Sequence, residues 1–437
     1  MPELVIIGSG IAGASVASYV REKDPNIGIT LFTKDQYVAY SPRDISFVLS
    51  GDITSFEDLM MHDFAYYKDK SIDLRTNTEV TAIDIENNSI IVEGEKRAYG
   101  HLVIATGVAH DIPQIPGIDK NGVFFIKSIE DGKKIKEAMK NATNAVVAGA
   151  DPATLEIASA LITSGINTTM VAPSPYLLPG YLDPDMTTIV QNKLESLGAK
   201  VITGSPLGSI NGPEHVEFVT VGKEVIPADL VIISHGIKPN VGLAKQAGIK
   251  IGETGGIQVA PSMRVAKSAS VYAAGGCVEV AHHITASPAL SMLGGTAVQQ
   301  ARVVAENVCG GDAIFAPAVN PVISVIAGLQ VGSVGLTSYA AKQAGLVPTE
   351  GKAHGLTRAH CYPGGKKICA KLLFAEERLI GAQLISEEGV KERIDALSFM
   401  IKSGATCGQL RHIETCYAPP VSSVVDILTL ALDALER

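Results

Sequence analysis

The sequence of 437 residues contains only six cysteines, and none of them forms a CxxC pair. This pattern excludes a disulfide-rich secreted scaffold, a zinc ribbon and a ferredoxin-type cluster site. Basic residues are also scarce, because 36 Lys and Arg stand against 45 Asp and Glu, a formal net charge of −9, and no long basic run is present. We therefore expect free thiols and no nucleic-acid partner.

Long apolar runs are missing as well. The longest, such as residues 102–109 and 322–329, fall well short of the about 18 residues that span a bilayer. No signal peptide precedes the first predicted strand, which begins at Leu4, so we expect no membrane contact and a cytoplasmic protein. What is present, 46% hydrophobic residues over the length of roughly three average domains, predicts a folded multidomain chain.

A strand–glycine turn–helix–strand pattern occurs twice. The first copy has a strand at 4–7, the glycines Gly8, Gly10 and Gly13, a helical pattern and a second strand at 29–32. The second copy has a strand at 145–148, a turn that begins at Gly149, a helix at 155–162 and a strand at 168–172. Each copy ends later in a buried-strand run that stops at a glycine, Gly107 or Gly236. The repeat predicts an α/β fold with two Rossmann-like nucleotide-binding domains in tandem.

Proline and glycine punctuation suggests the domain boundaries. Residues 1–111 and 240–319 are predicted to form the first nucleotide-binding domain, and residues 112–239 form a second domain inserted into it. From Asn320 onward the pattern changes to that of a separate α+β domain, residues 320–437. Its predicted elements are strands at 323–326, 368–374 and 379–385 and helices at 338–344, 391–402 and 422–435.

The ordered motifs of the chain resemble those of the FAD-dependent pyridine nucleotide-disulfide oxidoreductase family. The similarity is greatest to the branch that contains coenzyme A disulfide reductases, NADH oxidases and NADH peroxidases, and it covers nearly the whole length. The motifs are the first GxGxxG, ATG at 105–107, DPDM at 183–186, VYAAG at 271–275, LGGTA at 293–297, GLT at 335–337 and YAPP at 417–420. The resemblance implies an FAD domain, an inserted NAD-type domain and a C-terminal dimerisation domain, hence a homodimer.

The first glycine motif is intact, so the backbone can approach a pyrophosphate that also meets the amides of the following helix. The resemblance implies further FAD contacts at Thr33, Lys34, Pro42, Val80, Ala105, Thr106, Gly107, Gly275, Gly276, Gly295, Thr296 and Ala297. Two positions depart from the family. Thr33, followed by Lys34, replaces the usual acidic ribose ligand, and Gly276 replaces an aspartate that grips the ribityl chain. We nevertheless expect FAD to bind.

The second glycine motif is altered more severely. Gly149, Asp151 and Thr154 stand where the family has three glycines. A carboxylate at 151 would face a dinucleotide pyrophosphate, and like charges about 4 Å apart repel by roughly 1 to 4 kcal/mol. The second strand ends at Ala172 without an acidic ribose partner. The sequence therefore predicts weak or absent NAD(P)H binding, although Glu156 matches a carboxylate that lies near the nicotinamide in the family.

Arg43 occupies the position of the family's catalytic cysteine, after a loop that resembles residues 40–42. An arginine cannot act as a thiolate nucleophile, so disulfide or peroxide reduction through this residue is excluded. Arg43 is a candidate catalytic residue of another kind, a permanent cation that stabilises anionic reduced flavin or clamps a substrate carboxylate or phosphate. The alternative is a purely structural ion pair with Asp44 or Asp52.

The resemblance also implies two candidate catalytic residues in the dimerisation domain. Tyr417 matches a tyrosine that is inserted toward the active site of the partner subunit, and Tyr362 lies in a second loop that reaches the same place. Cys416 and Cys361 stand beside these tyrosines. A relocated redox dithiol is one interpretation of the two cysteines, and ordinary small hydrophobic residues are the other.

Taken together, the departures predict an FAD-dependent oxidoreductase or electron-transfer flavoprotein subunit that exchanges electrons with a protein partner, such as an iron–sulfur subunit. Two alternatives stay open. One is an NAD(P)H oxidase or dehydrogenase that still binds nicotinamide, and the other is a non-catalytic, flavoprotein-like scaffold. No metal site is expected, because the adjacent residues His282 and His283 point apart and lack a third ligand.

Overall fold

The computed structural model describes residues 3–234 and 236–436, so His235, in the run that ends the second copy, lies outside the described residues. The first part of the chain forms a parallel sheet, a small antiparallel sheet and short helices, with 3₁₀ turns at Pro42–Asp44 and Glu57–Leu59. Its elements are β1 (Leu4–Ile7), α1 (Ile11–Lys23), β2 (Ile29–Phe32), α2 (Ile45–Ser50), α3 (Phe64–Asp69), β3 (Ile72–Arg75), β4 (Val80–Asp84), β5 (Ser89–Val92), β6 (Glu95–Ala98), β7 (His101–Ile104) and β8 (Val108–His110).

The second part of the chain repeats this plan. Its elements are β9 (Val123–Phe125), α4 (Ile129–Met139), β10 (Asn144–Ala148), α5 (Pro152–Thr163), β11 (Asn167–Ala172), α6 (Pro184–Ser196), β12 (Lys200–Thr203), β13 (Leu207–Asn211), β14 (Phe218–Val221), β15 (Glu224–Pro227), β16 (Leu230–Ile233) and β17 (Ile237–Pro239). The chain then continues through α7 (Gly242–Gln246), β18 (Ile257–Gln258), β19 (Val271–Ala273), β20 (Val278–Ala281), β21 (Pro288–Leu290) and α8 (Gly294–Val308).

Two parallel sheets carry the two nucleotide-binding-type domains. The first has the strand order β19–β7–β1–β2–β3, and the second has the order β12–β11–β10–β16–β9. The inner strands β1 and β16 share the sequence Leu-Val-Ile-Ile and are buried throughout, as expected for parallel strands that are covered on both faces. The predicted α/β fold with two Rossmann-like domains is therefore confirmed. Strand β19 returns to the first sheet beside β7, and the proposed domain boundaries stay a prediction.

An antiparallel sheet forms the C-terminal domain. Its elements are β22 (Val322–Ile326), β23 (Leu329–Gly335), α9 (Ser338–Gln343), β24 (Thr349–Leu356), β25 (Lys367–Ala375), β26 (Arg378–Ser386), α10 (Lys391–Lys402), α11 (Cys407–Arg411), α12 (Ile427–Asp433) and a 3₁₀ turn, Ala434–Glu436. The strand order is β22–β23–β26–β25–β24. Helix α10 packs on β23 and β26, and α12 packs on β24 and β25. The apolar core of the domain lies between these helices and the sheet.

The last helix is shorter than the sequence predicts. A helix over 422–435 was expected, but α12 begins at Ile427, because the Asp426 carboxylate accepts a hydrogen bond from the backbone N–H of Leu428 and caps the helix there. The Ser422 and Ser423 hydroxyls bond to loop carbonyl groups instead of continuing a helix. Val424 is consequently exposed and does not belong to the buried stripe of this helix.

A buried carboxylate anchors the second Rossmann-like domain to the C-terminal domain. Asp183, just before α6, accepts hydrogen bonds from the Ser338 backbone N–H (3.0 Å), the Ser338 hydroxyl (2.6 Å) and the Gln383 side-chain amide (2.8 Å). It also forms an ion pair with Lys371 at 3.0 Å, and both side chains are at most 5% exposed. Lys371 contacts the Glu350 carboxylate as well, at 2.7 Å. Burial lowers the pKa of Lys371, but its hydrogen bonds to Glu350 and Asp183 outweigh burial and raise it.

None of the helices in the described part of the chain combines the length and the apolar character that crossing a bilayer requires.

Candidate active site

The first glycine turn forms an open cradle at the carboxyl end of β1. Gly8 has φ of +104°, and a Cβ on Gly13 would overlap the carbonyl oxygen of Gly8, so only glycine fits at these two positions. A Cβ on Gly10 would meet no atom within 4 Å, which leaves open space in front of α1. Within the described residues no side chain caps α1, and its first turn has no acidic residue. The free N–H groups of this turn fit an anionic group such as the pyrophosphate of FAD.

The start of α8 lies against the start of α1. A Cβ built on Gly294 would stand 2.9 Å from Cδ1 of Ile11, whereas one on Gly295 would face open space. No side chain of the described residues caps α8 either. The Thr296 hydroxyl accepts a hydrogen bond from the Ser291 hydroxyl at 2.7 Å, and the next residue, Ala297, is buried. Two uncapped helix N-termini, each preferring negative charge, therefore meet at one crevice.

The other predicted cofactor-binding residues at the strand ends surround the same turn. A Cβ on Gly8 would strike the carbonyl group of Ala105, and the Thr106 hydroxyl donates to the carbonyl oxygen of Asn240 at 2.6 Å. Gly107 follows with space around it. The structure therefore places the ATG motif directly beside the glycine turn, as the resemblance implies.

The loop after β19 also faces the turn. The Gly275 backbone N–H donates to the side-chain oxygen of Gln300, on α8, at 2.7 Å, and a Cβ on Gly275 would stand 2.9 Å from that of Ala12. A Cβ on Gly276 would approach Cγ1 of Val108 to 2.7 Å. The close approach of Val108 shows that position 276 is packed for a small residue.

The four remaining predicted cofactor contacts come from other segments of the first domain. Thr33 is buried, and its hydroxyl accepts a hydrogen bond from the backbone N–H of Asp35 at 3.2 Å. Lys34 and Pro42 are exposed, whereas Val80 belongs to the core of the first domain. The residues present thus fit the pyrophosphate of FAD, and they offer no carboxylate at positions 33 and 276.

The second glycine turn is closed by its own side chains. Asp151 caps α5, because its carboxylate accepts hydrogen bonds from both the backbone N–H and the hydroxyl of Thr154, each at 2.8 Å. Pro152 fills the first helical position and has no N–H to offer. The Thr154 hydroxyl also lies 3.3 Å from the carbonyl oxygen of Ser234. The helix terminus that would bind a coenzyme pyrophosphate is therefore satisfied internally, unlike that of α1.

Arg43 and Glu156 form an ion pair at the junction of the three domains. Nη2 of Arg43 donates to Oε1 of Glu156 at 2.6 Å and lies 3.3 Å from the carbonyl oxygen of Ile323. The Ser324 hydroxyl donates to the same Glu156 oxygen at 2.5 Å. The first Rossmann-like domain, helix α5 and strand β22 therefore share one carboxylate.

The alternative prediction for Arg43, a structural ion pair with Asp44 or Asp52, names the wrong partner. The side chain pairs with Glu156 and not with Asp44 or Asp52, and the Asp52 carboxylate instead accepts a hydrogen bond from Ser50. Sequence reasoning identified Glu156 but missed Ser324 and Ile323. No local signal marks these contacts, because Ser324 lies 168 residues from Glu156 and Ile323 lies 280 residues from Arg43.

The electrostatics of the pair are uneven. The Glu156 side chain is 3% exposed and that of Arg43 is 38% exposed. Burial raises the pKa of Glu156, and the charge and hydrogen bond of Arg43 only partly oppose that effect. Among the described residues, Oε2 of Glu156 and Nε of Arg43 are buried without a hydrogen-bond partner. Burial also raises the pKa of Tyr181, whose hydroxyl is influenced by the charges of both Asp151 and Arg43.

The predicted catalytic tyrosines lie on the surface of the C-terminal domain. Tyr362 is 40% exposed and Tyr417 is 48% exposed, on two loops that flank β24, β25 and α12. Within the protomer, as far as the structure describes it, neither tyrosine is hydrogen-bonded to Arg43 or Glu156. Their assignment to the active site of a partner subunit stays a prediction.

Comparison with known proteins agrees with this architecture. Residues 2–301 match the family model described as pyridine nucleotide-disulphide oxidoreductase, and residues 322–427 match its dimerisation domain. The chain is 41% identical to an NADH oxidase of Methanocaldococcus jannaschii, over 99% of this chain and 98% of that protein. It is 34% identical to an NAD(P)H sulfur oxidoreductase (CoA-dependent) of Pyrococcus furiosus, over 99% of both chains.

A solved structure gives the same result in three dimensions. The NAD-dependent persulfide reductase from A. fulgidus superposes with a TM-score of 0.95 at 34% sequence identity, covering 99% of this chain and 82% of that one. The fold, the uncapped glycine turn and these full-length similarities agree with one another. The chain therefore belongs to the FAD-dependent pyridine nucleotide-disulphide oxidoreductase family and carries that family's dimerisation domain.

Proposed function

We propose that the chain is an FAD-dependent NAD(P)H oxidase or dehydrogenase that works without a cysteine at position 43. The observation that carries this proposal is the ion pair between Arg43 and Glu156, which fixes a cation where the family resemblance implies a thiol. An arginine has no sulfur to attack a disulfide or peroxide. Full-length similarity to a protein named NADH oxidase supports nicotinamide as the electron donor.

In this proposal the N-termini of two helices bind FAD, and Arg43 supplies a fixed positive charge. The N-termini of α1 and α8 would hold FAD, which when bound supplies the capacity to accept and pass on electrons. Glu156 and Ile323 hold one edge of the Arg43 guanidinium, so the cation keeps a fixed place at the domain junction. A fixed cation favours negative charge that develops on a reacting group nearby.

Asp151 sets the affinity for the coenzyme in this proposal. Its carboxylate caps α5 where a coenzyme pyrophosphate would approach, so binding has to overcome a like charge and compete for the helix amides. Repulsion of about 1 to 4 kcal/mol corresponds to a Kd weakened roughly fivefold or more. We therefore expect NAD(P)H to bind more weakly than it would to an intact glycine motif.

A second candidate function is electron exchange with a protein partner in place of NAD(P)H. The hydrogen bonds from Thr154 to Asp151 favour it, because they close the second glycine turn without any ligand. A redox partner of this kind would deliver electrons to FAD directly and would leave the second Rossmann-like domain as a scaffold.

Anaerobic titration with NADH and NADPH separates the two functions. Loss of the flavin absorbance band on mixing supports the proposed activity, and its reappearance with oxygen or a dye identifies the type of acceptor. The variant Asp151→Asn keeps the helix cap but removes the charge, so it should bind NADH about tenfold more tightly. Asp63→Asn, at the cap of α3, is the matched control and should change nothing. Failure of both coenzymes to reduce the flavin, in wild type and D151N alike, would favour the protein partner.

A further inference from the structure

Two surface loops of the C-terminal domain are joined to each other by hydrogen bonds. One loop connects β24 to β25, and the other connects α11 to α12. The backbone N–H of Ala359 donates to the carbonyl oxygen of Pro419 at 3.2 Å. The Ser423 hydroxyl donates to the carbonyl oxygens of Leu356 and Arg358, at 3.2 and 3.0 Å. These hydrogen bonds therefore hold the two loops next to each other within one protomer.

Each of these loops carries an exposed thiol. Cys361 lies two residues after Ala359, and Cys416 lies three residues before Pro419, so both are close to the hydrogen bond that joins the loops. Both are free and exposed. Cys277, by contrast, is buried, and burial raises the pKa of its thiol, which makes it unreactive.

We infer that Cys361 and Cys416 form a redox-active dithiol that closes to an intrachain disulfide. A disulfide needs Cα atoms roughly 4.4 to 6.8 Å apart. Two exposed loop segments without regular secondary structure, already bonded backbone to backbone, can reach that separation by a local movement. The pair would provide sulfur chemistry that Arg43 cannot.

The proposed exchange is balanced in atoms and electrons. A low-molecular-weight disulfide oxidises the pair, so that its S–S bond breaks, two thiols leave, and one S–S bond forms between Cys361 and Cys416. Reduction of that bond by NAD(P)H and one proton returns two thiols and NAD(P)⁺. This second step rests on the function proposed above, which supplies the electrons.

Thiol counting and peptide mapping test the inference on the purified, FAD-loaded protein. Treatment with glutathione disulfide should remove the thiols of Cys361 and Cys416 and give a linked peptide that contains both residues in non-reducing mass spectrometry. Anaerobic NADH should restore both thiols. The variants Cys361→Ser and Cys416→Ser should each abolish the link. Cys309→Ser removes another exposed thiol, on the first Rossmann-like domain, and should leave the link intact.

The outcomes keep the two proposals distinct. The dithiol is refuted if no Cys361–Cys416 peptide forms, if the link joins two subunits, or if NADH bleaches the flavin without restoring the thiols. If NADH does not bleach the flavin at all, the proposed function fails, and titration in glutathione redox buffers then decides the dithiol. Joint loss of two thiols in one transition supports it, and independent reaction of the two overturns it.

Discussion

The Arg43 guanidinium lies 2.6 Å from the Glu156 carboxylate, although the two residues are 113 positions apart in sequence. One comes from a 3₁₀ turn of the first Rossmann-like domain, and the other comes from the first turns of α5 in the second. Ser324 of β22 bonds to the same carboxylate oxygen, so Glu156 links the two Rossmann-like domains to the C-terminal domain.

Replacing Arg43 by methionine should show how much the ion pair with Glu156 contributes to the free energy of unfolding. The variant leaves the buried Glu156 carboxylate without its charged donor, so we expect a loss of about 1 to 3 kcal/mol in the free energy of unfolding. Urea denaturation measures it, with a double-mutant cycle through Glu156→Gln to isolate the coupling. Arg75→Met, which breaks an exposed pair with Asp73, is the control and should cost well under about 1 kcal/mol. Equal costs for R43M and R75M would contradict the assignment.

The pH dependence of stability should carry a signature of Glu156. Burial raises the pKa of this carboxyl in the folded protein above its unfolded value, so the folded state binds more protons between the two pKa values. The contribution of Glu156 to stability is therefore greatest below the unfolded pKa and is lost as pH rises through the folded pKa. The unfolding free energy of the wild type minus that of E156Q should therefore decrease as the pH rises from the unfolded pKa of Glu156 to its folded pKa. A flat difference would show that burial does not control this group.

Substitutions in the first glycine turn should separate cofactor binding from folding. A Cβ on Gly10 meets no atom within 4 Å, so Gly10→Ala should fold normally and weaken FAD binding at least about tenfold by filling the cradle. A Cβ on Gly13 overlaps the Gly8 carbonyl group, so Gly13→Ala should destabilise the apoprotein itself. Thermal unfolding without FAD and fluorescence titration with FAD distinguish these effects. Normal FAD affinity in G10A would place the pyrophosphate elsewhere.

Loss of the buried lysine between the second and third domains should be costly. Lys371→Met leaves the Asp183 carboxylate buried and short of a charged partner, and we expect a loss of about 3 to 5 kcal/mol in unfolding free energy. Lys391→Met breaks an exposed helix pair with Asp395 and should cost at most about 0.5 kcal/mol. Chemical denaturation of both variants gives the comparison, and a K371M protein as stable as K391M would rule out a structural role for the anchor.

Local sequence signals were sufficient for much of the fold. The run Leu4–Ile7 and the glycines after it specify a buried strand and a tight turn through their own chemistry, and the structure agrees. Asp151 shows the limit of such reasoning. The comparison with the glycine motif considered only the charge of Asp151. Its role as an N-cap follows from the Asp-Pro-x-Thr order, which is a separate local signal.

Contacts between domains were beyond local reasoning. The partner of Arg43 was sought nearby, at Asp44 and Asp52, whereas packing of separate domains delivered Glu156 and Ser324. The predicted start of the last helix was wrong for a related reason. Apolar periodicity across Val424 and Val425 suggested a longer helix, but hydrogen bonds from Ser422 and Ser423 hold that stretch in a loop.

The anchor at Asp183 restricts how a coenzyme can reach the crevice. All partners of its side chain belong to the C-terminal domain, so swinging the second Rossmann-like domain outward would break these contacts together and expose the carboxylate to water. The loss of these hydrogen bonds and of the ion pair with Lys371 would oppose such a hinge movement. We therefore expect the NAD(P)H proposed above to reach its site while the two domains keep these contacts.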